Sequence, residues 1–143
     1  MQREFLKSWK RDVVVGSSFG GAVVQMLIQE GDWKGKTLLI APALGRITPL
    51  IVDNEYCNSE RRSYVCVKPI SPSPGRRIII LHGSADETIP IELSKAYLRI
   101  QKENGNDITL HTVEGGDHRL RNSLDVMIYL IHDLVAAAGG KIE

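Results

Sequence analysis

"VVVGSSFGGA", residues 13–22, is the stretch on which the reading of the fold turns. Three consecutive valines favour extended backbone, because branching at Cβ suits a pleated surface. They run straight into Gly16-Ser17-Ser18-Phe19-Gly20-Gly21, and Val23, Val24, Leu27 and Ile28 follow at helical spacing. A strand that passes directly into a helix forces a strained backbone on the residue at the bend, which needs small neighbours. Gly16 and Gly20 are expected to supply that room. Such a bend lifts the Ser18 hydroxyl to the carboxyl end of a strand and the amino end of a helix, where free amides and the helix dipole favour developing negative charge. The Phe19 backbone amide is then an oxyanion donor.

Outward from this stretch lie three more apolar runs: "TLLIA" at 37–41, "IIILH" at 78–82 and "ITLHTV" at 108–113. The valine run and the first two of these are continuous rather than alternating, which suits strands buried on both faces of a parallel sheet. Helices are expected over 19–30, over 90–103 after Pro90 as a first-turn residue, and over 124–135 with Leu124, Ile128, Ile131 and Val135 on one stripe. Residues 2–10 add a further short helix. This alternation is the grammar of an α/β sheet with right-handed crossovers, one domain over 1–143. The connection from Pro42 to Arg77 breaks the rhythm, with prolines at 42, 49, 69, 72 and 74. A connection of that length reads as a cap or lid over 42–77.

Composition narrows the function classes. With 43% hydrophobic and 24% charged residues the chain is of the globular type, and 18 Lys and Arg against 17 Asp and Glu leave no footprint for nucleic acid or an anionic membrane surface. Arg61-Arg62 and Arg76-Arg77 are expected to be solvated loop charges. No apolar run approaches the ~20 residues of a membrane span, and "MQREFLKSWKRD" is no signal peptide, so a cytoplasmic location is expected. Cys57 and Cys66, the two cysteines, form no CxxC pair and are expected to be free thiols. Neither Gly-x-Gly-x-x-G nor a metal-ligand spacing occurs, so the reading calls for no cofactor and no metal.

A nucleophilic serine needs a base, and the base needs an orienting acid. "GSADETIP" at 83–90 places Asp86 in the loop after one strand, and "EGGDH" at 114–118 places His118 in the loop after the next. Both fall on the sheet rim that carries Ser18, where α/β enzymes keep their ligands. Glu87 is a rival acid, whereas Asp117, adjacent to His118 in sequence, would point elsewhere. His82 is expected to bond to nearby backbone, His111 and His132 to lie on surfaces, Ser17 and Ser84 to support turns, and Trp9, Trp33 and Tyr97 to pack.

The three motifs together, "VVVGSSFGG", "LHGSADETIP" and "EGGDHRL", in the order Ser, Asp, His, resemble the α/β-hydrolase family over nearly the whole chain. The resemblance implies a three-layer sandwich with a mostly parallel sheet of about four strands. It implies Ser18 as nucleophile, His118 as general base and then acid, and Asp86 as the residue that orients the imidazole. It also implies a serine hydrolase acting on a small acyl substrate, an ester or thioester, with peptide hydrolysis as an alternative. The family's sheet is larger, however, and only 15 residues precede Gly16. The earlier strands, and the loop that supplies the second oxyanion amide, are thus expected to have no counterpart. Losing one such donor costs about 100- to 1,000-fold in rate, which makes a non-catalytic binding module or a fragment the competing reading. Val13–Val15 would then lie at a sheet edge, open to a homodimer or a partner chain. For an active triad, activity should fall as pH drops through the titration of His118.

Overall fold

The computed structural model describes residues 13–44 and 67–137. Four strands, β1 (Val13–Ser17), β2 (Lys36–Ile40), β3 (Ile78–Gly83) and β4 (Ile108–Val113), form one parallel sheet in the order β1-β2-β3-β4. Helix α1 (Phe19–Gln29) links β1 to β2, α2 (Ile91–Glu103) links β3 to β4, and α3 (Leu124–Ala137) follows β4. Each apolar run read as a strand is one, and the helices expected over 19–30, 90–103 and 124–135 lie within a residue or two of their expected places. Pro90 stands just before the first turn of α2 rather than in it. The short helix at 2–10, Trp9, Cys57, Cys66, Arg61-Arg62 and most of the 42–77 connection lie outside the described residues.

Successive strand residues face opposite sides of the sheet, so a continuous apolar strand feeds two cores. Ile78 and Ile80 of β3 and Leu39 of β2 pack with Val24, Leu27 and Ile28 of α1 and Tyr97 of α2. Ile79, Leu81, Leu38 and Ile40 pack with Leu130 and Leu134 of α3. The result is three layers, with α1 and α2 on one face and α3 on the other. All six residues of β3 are buried, and the four from Ile78 to Leu81 are accordingly apolar without alternation. β1 departs from the expected burial on both faces: Val13 and Val14 are half-buried and Val15 is 45% exposed. The cause is its position, since among the described residues β1 has a single neighbouring strand.

Arg76 also departs from expectation. It is buried rather than solvated, and its Nη1 donates to the Ser71 carbonyl at 2.9 Å. Arg77 forms an ion pair with Asp133 of α3 at 3.1 Å. These arginines brace the entry to β3. Trp33 and Tyr97 pack in the first core, as their reading as packing residues anticipated.

Candidate active site

The chain leaves β1 at Ser17 and enters α1 at Phe19, so Ser18 makes the entire bend. Its backbone lies at φ 52°, ψ −117°, in the positive-φ region that a residue with a Cβ rarely adopts. The main chain on both sides holds it there. The Ser18 amide donates to Ile40 O at 2.9 Å, and the Ser18 carbonyl accepts from Ala43 at 2.8 Å and Gly21 at 3.1 Å. Ser18 heads α1 without using its side chain as a cap, so the hydroxyl is free for other work.

Close packing around the bend singles out two glycines, one of them unexpected. A Cβ on Gly16 would lie 2.7 Å from Gly20 O and 2.8 Å from Val24 Cγ2, and one on Gly21 would lie 2.7 Å from Pro42 Cβ. A Cβ on Gly20 would meet nothing within 4 Å. The room is therefore needed at Gly16 and Gly21, where α1 approaches β1 and the Ala41–Leu44 turn, and not at Gly20. Gly20→Ala is expected to leave stability unchanged or raise it by about 0.5–1 kcal/mol, the usual gain of alanine over glycine in a helix. Gly16→Ala should cost about 1–3 kcal/mol through overpacking. Urea midpoints of the two variants check the contrast.

Asp86 and His118 arrive from adjacent strand ends. Asp86 lies in the loop between β3 and α2, where its Oδ1 accepts the amides of Thr88 at 2.9 Å and Ile89 at 2.7 Å. His118 lies in the loop after β4. That loop is held against the first by main-chain contact: Ala85 N donates to Gly116 O at 3.0 Å, and a Cβ on Gly83 would come within 2.2 Å of the same oxygen. Ser84 Oγ adds a bond from Gly115 N at 2.7 Å, the turn-supporting role expected of it. Asp117 Oδ1 caps the amides of Arg119 and Leu120, turned away from the imidazole. Glu87 is exposed.

These loops bring the three sequence candidates into one chain of hydrogen bonds. An ionised carboxylate can only accept, so His118 Nδ1 carries the hydrogen and donates to Asp86 Oδ2 at 2.8 Å. In the neutral ring Nε2 is then the acceptor, and the Ser18 hydroxyl donates to it at 2.9 Å. Burial by itself would push the Asp86 carboxyl up. The Ile89 amide, the His118 N–H and its charge, and the Thr88 amide outweigh that and hold it below the usual carboxylate range. A depressed folded-state value means stabilisation that is fully present above the unfolded carboxyl's ~3.9 and is lost as pH falls through the folded value. The gap in urea midpoint between wild type and Asp86→Asn should accordingly be widest near neutrality and close in acid.

One neighbour of the site was not legible as such. His82, expected to bond to nearby backbone, does donate from Nε2 to Ile89 O at 2.8 Å, and the same nitrogen lies 3.2 Å from Asp86 Oδ2. The His-Gly that ends β3, four residues before the acid, was the available signal. His111 and His132 are exposed, as expected. Among the described residues no group of three or more His, Cys, Asp or Glu is placed to hold a metal ion, and no helix is long and apolar enough to cross a membrane.

No protein-family model matches the sequence, and no curated protein matches it. Solved structures do. MGS-M1, an α/β-hydrolase enzyme from a Medee basin deep-sea metagenome library, is 17% identical with a TM-score of 0.66, over 96% of this chain and 62% of that one. A thermophilic esterase from the Planctomycetes species Thermogutta terrifontis, solved with butyrate, is 20% identical with a TM-score of 0.65, over 89% of this chain and 56% of that one. Atu2452 of Agrobacterium tumefaciens, of unknown function, is 22% identical with a TM-score of 0.62, over 88% of this chain and 51% of that one. The chain thus spans between about half and three-fifths of the length of these structures, and at such identities the likeness is one of fold. Strand order and neighbours agree: this chain has the α/β-hydrolase fold.

Proposed function

We propose that the chain is a serine hydrolase that cleaves a carboxylic ester or thioester through an acyl-enzyme on Ser18. The observation that carries the reading is the continuous bond path from Ser18 Oγ through His118 to Asp86, 2.9 and 2.8 Å long. In the reaction, Ser18 Oγ attacks the acyl carbon while His118 Nε2 takes its proton. Asp86, ionised and fixed, stabilises the imidazolium that forms. The carbonyl oxygen becomes an oxyanion at the head of α1, where the Phe19 amide is the donor assigned to it. Collapse expels the alcohol or thiol, which leaves with the proton from His118. A water molecule, deprotonated by the same nitrogen, then attacks the acyl-enzyme and releases the carboxylic acid and free Ser18.

An ester is favoured over a peptide because a structure that shares the fold, that from Thermogutta terrifontis, is an esterase. The test is covalent labelling by a fluorophosphonate probe, which reports an activated serine without knowledge of the substrate. Wild type should label, and Ser18→Ala and His118→Ala should not. A folded wild type that remains unlabelled would remove the reading and favour a binding module built on the same fold.

A further inference from the structure

His82 is a fully buried imidazole with no part in the bond path just described. Its ring bridges three elements. Nε2 donates to Ile89 O at 2.8 Å and lies 3.2 Å from Asp86 Oδ2, while Nδ1 lies 2.7 Å from the hydroxyl of Ser94, which is itself buried on α2. A carbonyl can only accept, so Nε2 carries the hydrogen; in the neutral ring Nδ1 accepts, and Ser94 donates to it. Burying a polar ring is costly unless its polar atoms are engaged, and here both nitrogens are. Nε2 faces the acid loop at its two ends, Asp86 and Ile89, and Nδ1 engages Ser94 of α2.

We propose that His82 is a positioning residue for the triad: its Nε2–H clamps the Asp86–Ile89 loop so that Asp86 Oδ2 stays aimed at His118, and Ser94 fixes which nitrogen carries that hydrogen. The inference rests on the triad reading given above. Asp86 already has two amides on Oδ1, which fix one oxygen. The other oxygen, which receives His118 Nδ1–H, is the one His82 approaches. Without the clamp, the plane of the carboxylate can rotate about the fixed oxygen, and small errors of aim in a bond of this kind cost on the order of 10- to 100-fold in rate.

The experiment compares wild type with His82→Met, which removes the donor, and His82→Gln, whose amide nitrogen can stand where Nε2 stands. The first readout is the proton resonance of His118 Nδ1–H, which needs no substrate; the second is kcat and KM on a short-chain p-nitrophenyl ester. Wild type should show the resonance far downfield. His82→Met should lose or broaden it and lower kcat by about 10- to 100-fold at near-constant KM, and His82→Gln should restore both. A folded His82→Met protein that keeps the resonance and the wild-type kcat overturns the proposal, as does absence of the resonance from wild type. Should His82→Met fail to fold, Ser94→Ala decides: a broadened resonance supports the clamp, and a resonance and kcat equal to wild type overturn it. A wild type that shows the resonance but neither labels nor hydrolyses removes the hydrolase reading alone, and the resonance then decides the role of His82.

Discussion

Replacing Ser18 with alanine should lower kcat on a short-chain p-nitrophenyl ester by roughly 10⁶-fold while the protein stays folded, the scale on which triad nucleophiles matter. The substitution removes one oxygen and the 2.9 Å bond to His118. It leaves the bend itself in place, because the bend is held by main-chain bonds to Ile40 and from Ala43 and Gly21. Circular dichroism and the urea midpoint should therefore match wild type. Equal hydrolysis by the two proteins would mean that some other group attacks the ester, and the mechanism above would be wrong.

Asp86→Asn should also lower kcat steeply, by roughly 10⁴-fold, for a reason that follows from the loop. Two backbone amides point at the Oδ1 position, so the asparagine carbonyl oxygen must sit there to satisfy them. That leaves the amide NH₂ facing His118 Nδ1. A donor cannot accept the Nδ1 hydrogen, so the imidazole changes tautomer and presents Nε2–H to Ser18, which then has no base. The nitrogen-15 shifts of the His118 ring would show the exchange directly. Retention of the wild-type tautomer together with wild-type turnover would contradict the assignment of Asp86.

How much of this was readable in advance differs from element to element. The isoleucine run is unambiguous, because a strand with neighbours on both sides and helices over both faces is filled mainly by apolar residues whichever way they point, as Ile78 to Leu81 are. The site candidates were legible for a related reason: in a parallel sheet every loop that follows a strand falls on the same rim, so Ser18, Asp86 and His118 could be placed together from strand ends alone. What escaped were contacts between elements distant in the chain. Gly20 and Gly21 look equivalent in sequence, and only the arrival of Pro42 makes the second one essential. His82 reads as a strand end until α2 lays Ser94 against it. None of these partners is within reach of a local pattern.

The contact between Gly83 and Gly116 makes the two loops one fitted part, main chain against main chain, with no side chain between them to serve as a shim. The gap that Asp86 spans to reach His118 is therefore gauged by backbone thickness. A glutamate at 86 would carry its carboxylate one bond too far, and the frame has no slack to take the excess up. The part fits one length of side chain at position 86, set by the Gly83–Gly116 contact and not by the group the side chain ends in.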